Sequence, residues 1–216
     1  MLRSVLCLVL ALSAAPANAC KTALLLAIDV SQSIDVGEYS IQRDGLADAI
    51  LDPIVAEALI QGQVALAVVQ WSGPADQELS IPWSRIRTES DLQLFAQRAR
   101  LMPRVFTMSN TAVGQLIRYA TAQFDDVQDC DRRVIDISGD GNDNASTGPE
   151  QARRDAEILG IQINGLAIEW IGPAITNFYR RSVITKDGFV MTSKGHETYA
   201  EILRQKITRE VSQALF

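Results

Sequence analysis

Histidine and cysteine are rare in this sequence of 216 residues. The sequence contains one histidine, His196, and three cysteines. A Ser-His-Asp or Cys-His catalytic arrangement needs a histidine beside its nucleophile, and zinc sites usually need several His or Cys ligands. The sequence also lacks a glycine-rich phosphate loop with an adjacent Lys. These absences argue against a nucleophilic hydrolase, a zinc protein and a nucleotide hydrolase. His196 lies between Gly195 and Glu197, where we expect it to cap a helix at the surface.

Two further features are missing: a run of basic residues and a long apolar segment in the body of the chain. The formal net charge is -6 at pH 7. An acidic balance of this kind repels nucleic acid and anionic lipid, so we expect no nucleic-acid partner. Beyond the N-terminus, no apolar segment reaches the roughly 18 residues that a membrane-spanning helix needs. We therefore expect no membrane span.

The N-terminal residues have the three parts of a secretory signal peptide. Met1-Leu2-Arg3 supplies a positive charge, an apolar stretch runs from Val5 to Ala15, and Ala17-Asn18-Ala19 is a small-residue cleavage site. The sequence therefore predicts a signal peptide at residues 1–19, a mature domain at residues 20–216, and a periplasmic or secreted protein. Acylation of Cys20, as in a lipoprotein, is the alternative.

Apolar strand-like segments alternate with helical patterns along the rest of the chain. We predict strands at residues 23–28, 63–71, 79–83, 133–138, 161–170 and 189–192. Such alternation is typical of an α/β fold in which helices cover both faces of a mostly parallel sheet. Pro82 indicates that the third strand lies at an edge of the sheet, because proline cannot donate a ladder hydrogen bond. We expect one doubly wound domain with about six strands.

The most informative segment is the apolar run Ala23–Ile28, which leads directly into Asp29-Val30-Ser31-Gln32-Ser33. The run predicts a buried strand, and the carboxyl ends of parallel strands open onto the crevice where ligands bind. One aspartate and two hydroxyls at alternate positions offer oxygen ligands, which suit a hard divalent cation. Mg2+ is bound by a few such oxygens together with water, in near-octahedral geometry.

Two later segments carry further oxygen donors. Arg133–Ser138 predicts another strand, which ends in Gly139-Asp140-Gly141, where the glycines permit a tight turn. Thr111 directly precedes a helical pattern, so its hydroxyl lies at a helix start. Taken singly, each segment is also explained by an ordinary turn or helix cap. If the two strands are neighbours, however, four side chains converge on one point: Asp29, Ser31, Ser33 and Asp140. Thr111 is the candidate for a third hydroxyl.

With these five positions the chain resembles the von Willebrand factor A-like domains. Their metal-ion-dependent adhesion site, or MIDAS, consists of Asp-x-Ser-x-Ser, a loop threonine, and an Asp-Gly after a later strand. The resemblance covers essentially the whole mature chain and is greatest for a secreted bacterial single-domain group of unknown function with a Ser-Gly-Asp-Gly turn. It implies a Rossmann-like sheet whose first and fourth strands are central. It also implies that an Asp or Glu of a partner protein completes the coordination of the cation.

Removal of the signal peptide with Cys7 leaves two cysteines, Cys20 and Cys130. An even count is typical of disulfide formation in an oxidising compartment. Each cysteine precedes one of the two strands that carry the metal donors. If those strands are parallel neighbours, their amino ends lie within bridging distance. We therefore predict a Cys20–Cys130 disulfide, and two unpaired buried thiols are the alternative.

Asp136 interrupts the apolar run of the predicted strand at residues 133–138. A buried carboxylate needs hydrogen-bond donors or a cation. Two interpretations stay open. Asp136 either orients the loop that carries Ser31 and Ser33 from behind the metal, or pairs with Arg132 or Arg133.

A possible contact surface for a partner surrounds the predicted metal site. Trp71 and Ser72 follow the second strand at the same sheet edge, and Asn142 and Asp143 follow the Gly-Asp-Gly turn. We predict that these four residues form a rim around the site. The alternatives are a Trp71 that belongs to the core and an Asn142-Asp143-Asn144 segment that forms a solvated turn.

These observations favour a secreted, metal-dependent protein-binding module that is not an enzyme. The cation is Mg2+, or alternatively Mn2+ or Ca2+, and the partner presents an Asp or Glu. The first alternative is a metal-assisted hydrolase of phosphoesters, in which Asp136 or Asp143 would serve as the general base. The second is a structural periplasmic domain whose metal site is vestigial.

Overall fold

A computed structural model of the chain describes residues 20–145 and 148–212. The signal peptide predicted at residues 1–19 lies outside the described residues. The strands are β1 (Cys20–Asp29), β2 (Ala65–Trp71), β3 (Gln77–Arg85), β4 (Cys130–Gly139), β5 (Ile161–Glu169) and β6 (Val190–Lys194). The α-helices are α1 (Val36–Leu51), α2 (Pro53–Gln61), α3 (Glu89–Leu101), α4 (Val113–Ala122), α5 (Pro149–Ile158), α6 (Ala174–Phe178) and α7 (Tyr199–Ser212).

The six strands form one sheet in the order β3-β2-β1-β4-β5-β6. The pairs β1–β2, β1–β4, β4–β5 and β5–β6 are parallel, whereas β3 pairs with β2 in the antiparallel direction. The central position of β1 and β4 and the edge position of β3 confirm the predicted topology. Because Ile28 lies opposite Ser138, the two central strands end side by side.

Helices cover both faces of this sheet. Alternate residues of β1 enter different apolar layers, as the side-chain period of a strand requires. Leu24, Leu26 and Ile28 pack with residues of α1, α2, α3 and α7. Ala23 and Leu25 pack with residues of α4 and α5 and with Tyr179. The doubly wound α/β architecture is therefore confirmed, and no helix within residues 20–145 and 148–212 is long and apolar enough to cross a membrane.

The short connection from β1 to α1 ends in a capping box at the start of α1. Asp35 accepts a hydrogen bond from the backbone NH of Glu38, and the backbone NH of Asp35 donates to the Glu38 carboxylate, both at 2.8 Å. This reciprocal pair satisfies two backbone donors of the first helical turn. It fixes the end of the loop that carries Ser31 and Ser33.

The disulfide between Cys20 and Cys130 is confirmed. The two residues lie opposite each other in the β1–β4 pairing, with their Cα atoms 4.4 Å apart. The bridge closes a sequence separation of 110 residues at the amino ends of the two central strands. Loops of that length favour a contribution of about 4 to 5 kcal/mol on the chain-entropy account of disulfides.

Asp136 takes neither of its predicted roles. Its side chain points into the layer covered by α7, where Asp136 Oδ1 lies 2.6 Å from the ammonium group of Lys206. Lys206 also donates to Glu210 at 2.6 Å, and Asn164 donates to the same Glu210 oxygen at 2.8 Å. One buried cation thus serves two buried carboxylates. The predictions were wrong because the partner comes from the last helix, far from Asp136 in sequence.

We expect Lys206→Met to destabilise the protein by about 3–5 kcal/mol, the usual cost of leaving a buried charge without its partner. The measurement is the free energy of unfolding in urea. Lys194→Met is the control, because Lys194 is exposed and its replacement should change the unfolding free energy by less than about 0.5 kcal/mol. Equal stability of the two variants would contradict this account of the charge cluster.

The same cluster predicts a pH dependence. Burial and the neighbouring Asp136 carboxylate raise the pKa of Glu210 from 4.5 to about 8, against the opposing charge of Lys206. Between these two values the folded protein keeps a proton that the unfolded chain has released, so stability falls as the pH rises. Glu210→Gln removes this titration. Urea unfolding at pH 5 and pH 8 should show a larger loss of stability for the wild type than for Glu210→Gln, and parallel losses would contradict the assignment.

Candidate metal centre

The loop after β1 is held by backbone contacts on both sides. The Val30 NH donates to the Trp71 carbonyl of β2 at 2.9 Å, and the Gln32 NH donates to the Ser109 carbonyl at 3.1 Å. Arg104, which no sequence motif marks, donates to the carbonyls of Val30 and Ser31, both at 2.9 Å. The backbone of the loop is therefore fixed independently of its side chains.

The four hydroxyl and carboxylate groups above β1 and β4 form a continuous chain of oxygen atoms. Thr111 Oγ1 lies 3.4 Å from Ser31 Oγ, which lies 3.2 Å from Ser33 Oγ. Ser33 Oγ donates to Asp140 Oδ1 at 2.7 Å. Residues from the loops after β1 and β4 and from the loop before α4 thus meet at one point.

Asp29 lies directly beneath this chain at the end of β1 and is fully buried. Its Oδ1 accepts a hydrogen bond from the Ser31 NH at 2.8 Å. Its Oδ2 is buried and has no hydrogen-bond partner among the described residues. Burial, followed by the charge of Asp140, raises the pKa of Asp29 from 3.8 to about 7, against the opposing hydrogen bonds from Ser31 and from the Asp140 backbone. Burial also raises the pKa of Asp140, while its bond from Ser33 opposes the shift.

Thr111 is positioned by residues that follow β4. Its NH donates to the Asn144 side-chain oxygen at 2.9 Å, and the Asn144 NH donates back to the Thr111 carbonyl at 3.0 Å. The neighbouring Asp143 carboxylate accepts from the Gly114 NH in α4 at 3.2 Å. These contacts hold the threonine loop against the turn at Asp140. The contact between Asn144 and Thr111 was not predicted, because the partners are backbone groups, which no sequence pattern reveals.

A cavity of about 430 Å³ opens above these atoms. Its lining residues come from the three loops: Ser31, Gln32, Ser33, Ser109, Asn110, Thr111, Asp140, Gly141, Asn142 and Asn144. Asn142 therefore faces the cavity, as a rim residue would. The cavity leaves space for an external group beside the oxygen chain.

The donor set fits a hard divalent cation. Three neutral hydroxyls and two carboxylates, one of which has a buried oxygen without a partner, match the oxygen coordination of Mg2+, Mn2+ or Ca2+. A cation bound between the buried Asp29 and the half-buried Asp140 would favour their charged forms and so oppose the rise in both pKa values. No cluster of three His, Cys, Asp or Glu side chains occurs in the described part of the chain, so the hydroxyls are essential to this donor set.

Three predicted positions need correction. Trp71 and Ser72 do not form a rim, because both side chains are fully buried. Ser72 instead donates to the Asn110 carbonyl at 3.0 Å and supports the threonine loop. His196 is not at the surface but buried, with its Nδ1 3.1 Å from Glu38 Oε1. Trp71 was misplaced because β2 extends through Trp71 itself, and the indole therefore lies in the core.

Solved structures with this fold include three proteins of different origin. Proximal thread matrix protein 1 (PTMP1) from the mussel byssus has a TM-score of 0.66 at 15% identity, over 88% of this chain and 47% of that chain. The von Willebrand factor type A structure from Catenulispora acidiphila has a TM-score of 0.66 at 18% identity, over 88% of this chain and 43% of that one. The pilus adhesin SpaC from Lactobacillus rhamnosus GG has a TM-score of 0.63 at 10% identity, over 90% and 30%.

This chain spans less than half the length of these structures. Another PTMP1 structure, with a TM-score of 0.65 at 14% identity over 90% of this chain and 46% of that one, is described as having a zinc-occupied MIDAS motif. No curated protein sequence matches the chain. The sequence profile of a family described as "Protein of unknown function (DUF1194)" matches residues 19–215. The chain therefore belongs to this family, and its fold is that of a von Willebrand factor A domain.

Proposed function

We propose that this protein is a metal-dependent protein-binding module. The observation that carries the proposal is the continuous chain of oxygens from Thr111 through Ser31 and Ser33 to Asp140, at the floor of an open cavity. The hydroxyls come from two loops, the one after β1 and the one before α4, and the fold does not require these side chains to lie together. Their convergence beside the unpaired Asp29 oxygen supports cation binding.

Each residue has a distinct part in this proposal. Ser31, Ser33 and Thr111 hold the cation through neutral oxygens, and Asp29 and Asp140 bind it directly or through water. A cation held largely by neutral ligands is electrophilic and supplies a position that a carboxylate from outside can complete. The zinc-occupied MIDAS motif described for PTMP1 supports a divalent ion in such a site.

The proposed partner is a protein that presents a single Asp or Glu. The cavity above the oxygen chain has room for one side chain beside Asn142. The chain carries a net charge of -6, so a broad acidic surface would be repelled while one inserted carboxylate gains the attraction of the cation. The occurrence of the same fold in a pilus adhesin supports a role in protein adhesion.

Binding is favoured over phosphoester hydrolysis because neither candidate base is available. Asp136 contacts Lys206 in the layer beneath α7. The two oxygens of Asp143 accept hydrogen bonds from the NH groups of Gly114 and Ala145, both at 3.2 Å. A general base needs a free acceptor within reach of the attacking water.

The proposed location is the periplasm or the extracellular space. The disulfide supports this location because such bonds persist in oxidising compartments. The signal peptide predicted from residues 1–19 agrees with it. Binding outside the cytoplasm also fits an adhesion role.

We expect the wild-type protein, after dialysis against EDTA, to bind one Mg2+, Mn2+ or Ca2+ ion in titration calorimetry. Ser33→Ala should weaken this binding at least about tenfold, because changes around metal sites typically cost 10–100-fold in affinity. Ser84→Ala is the matched control. Ser84 pairs with Leu66 near the amino end of β2, whereas the proposed site lies at the carboxyl ends of β1 and β4. Absence of binding by the wild type would support a vestigial site and contradict the proposal.

Capture of a partner from an envelope extract tests the carboxylate. Immobilised wild-type protein should retain a partner in Mg2+ and release it in EDTA, whereas Ser33→Ala should retain none. Amidation of the carboxyl groups in the extract should abolish capture, because the inserted Asp or Glu is then neutral. Capture that survives amidation or EDTA would contradict this mode of binding.

A further inference from the structure

Tyr179 is a buried side chain whose position the core alone does not explain. The residue is fully buried on the face of the sheet covered by α4 and α5, at the start of a π-helical turn (Tyr179–Val183). Its hydroxyl has no hydrogen-bond partner among the described residues. A buried donor without a partner costs about 1–3 kcal/mol, so it needs an explanation. Single π turns are also frequent at functional sites.

Two glycines in neighbouring strands make room for the Tyr179 ring. A Cβ atom at Gly165 in β5 would overlap the aromatic ring. A Cβ atom at Gly139 in β4 would lie 2.9 Å from the Tyr179 hydroxyl oxygen. The ring therefore lies over β5 and directs its hydroxyl towards the end of β4. Glycine within a strand often marks such a close approach.

The Tyr179 hydroxyl lies near the unpaired oxygen of Asp29. The same Cβ position at Gly139 would lie 2.8 Å from Asp29 Oδ2, so the two atoms are less than 6 Å apart. Asp29 Oδ2 is the buried carboxylate oxygen that lacks a partner within the described chain. A buried donor and a buried acceptor thus face the same small space. A modest side-chain shift or one bridging water spans that separation.

The chemistry of the two groups fixes the direction of this contact. The phenolic O–H of Tyr179 is the donor, and the carboxylate oxygen of Asp29 is the acceptor. The other buried tyrosine near the site, Tyr199, instead lies 3.3 Å from Ser138 Oγ in the opposite apolar layer.

We propose that Tyr179 is a positioning residue that holds the second carboxylate oxygen of Asp29, directly or through one water. The proposal rests on the proposed metal function. With Oδ1 fixed by the Ser31 NH and Oδ2 by the tyrosine, the Asp29 carboxylate has a single orientation beneath the hydroxyl chain. A carboxylate that is already oriented binds a cation with less loss of conformational freedom.

The test is Tyr179→Phe in the full chain, with Mg2+ and Mn2+ as the probes in titration calorimetry. We expect 10- to 100-fold weaker metal binding, as for other residues that orient a metal ligand. The variant should remain folded and should unfold cooperatively in EDTA, because it keeps the packed ring. Tyr199→Phe is the matched control and should leave the metal affinity unchanged.

A double-mutant cycle separates positioning from plain packing. In EDTA, the effects of Tyr179→Phe and Asp29→Asn on the unfolding midpoint should be non-additive if the two side chains interact. Wild-type affinity in Tyr179→Phe, or additive effects in the cycle, would overturn the inference alone. A wild-type protein that binds no metal would overturn the proposed function and this inference together.

Discussion

Parallel pairing of β1 with β4 is the constraint on which the structure depends. The register that places Ile28 opposite Ser138 brings Asp29 and Asp140 to the same edge and, at the other end, Cys20 opposite Cys130. A shift by one residue would turn each side chain to the other face of the sheet. The donors, the disulfide and the separation of the two apolar layers all follow from this one register.

The two faces of these strands each bury one carboxylate, Asp29 or Asp136, and the two carboxylates have different surroundings. On the face covered by α4 and α5, Asp29 is buried beneath a cavity and beside the Tyr179 hydroxyl. On the face covered by α7, Asp136 is neutralised within the protein by Lys206. The first carboxylate has a buried oxygen without a partner among the described residues, and it lies beneath hydroxyls that line a cavity, which is characteristic of a ligand site. The second is fully enclosed, which is characteristic of a structural pair.

The sequence was sufficient for the fold and for the convergence of the five donors. Continuous apolar runs identify buried parallel strands, and the donors follow those runs directly, so sheet geometry alone brings them together. Residues whose partners come from another element could not be predicted in this way. Lys206 gave a weak indication, since it lies between Leu203 and Ile207 on the buried face of α7. Gly165 within β5 also indicated a close approach, but not by which side chain.

The bridge between Cys20 and Cys130 encloses four of the five donors in a covalent ring and leaves Asp140 ten residues beyond it. The disulfide thus restricts the conformations of the unfolded chain in the segment that carries these four residues. The reduced and the oxidised chain have the same sequence, but only in the oxidised chain are the amino ends of β1 and β4 joined covalently. Oxidation of two thiols therefore favours the strand pairing that brings the oxygen ligands together.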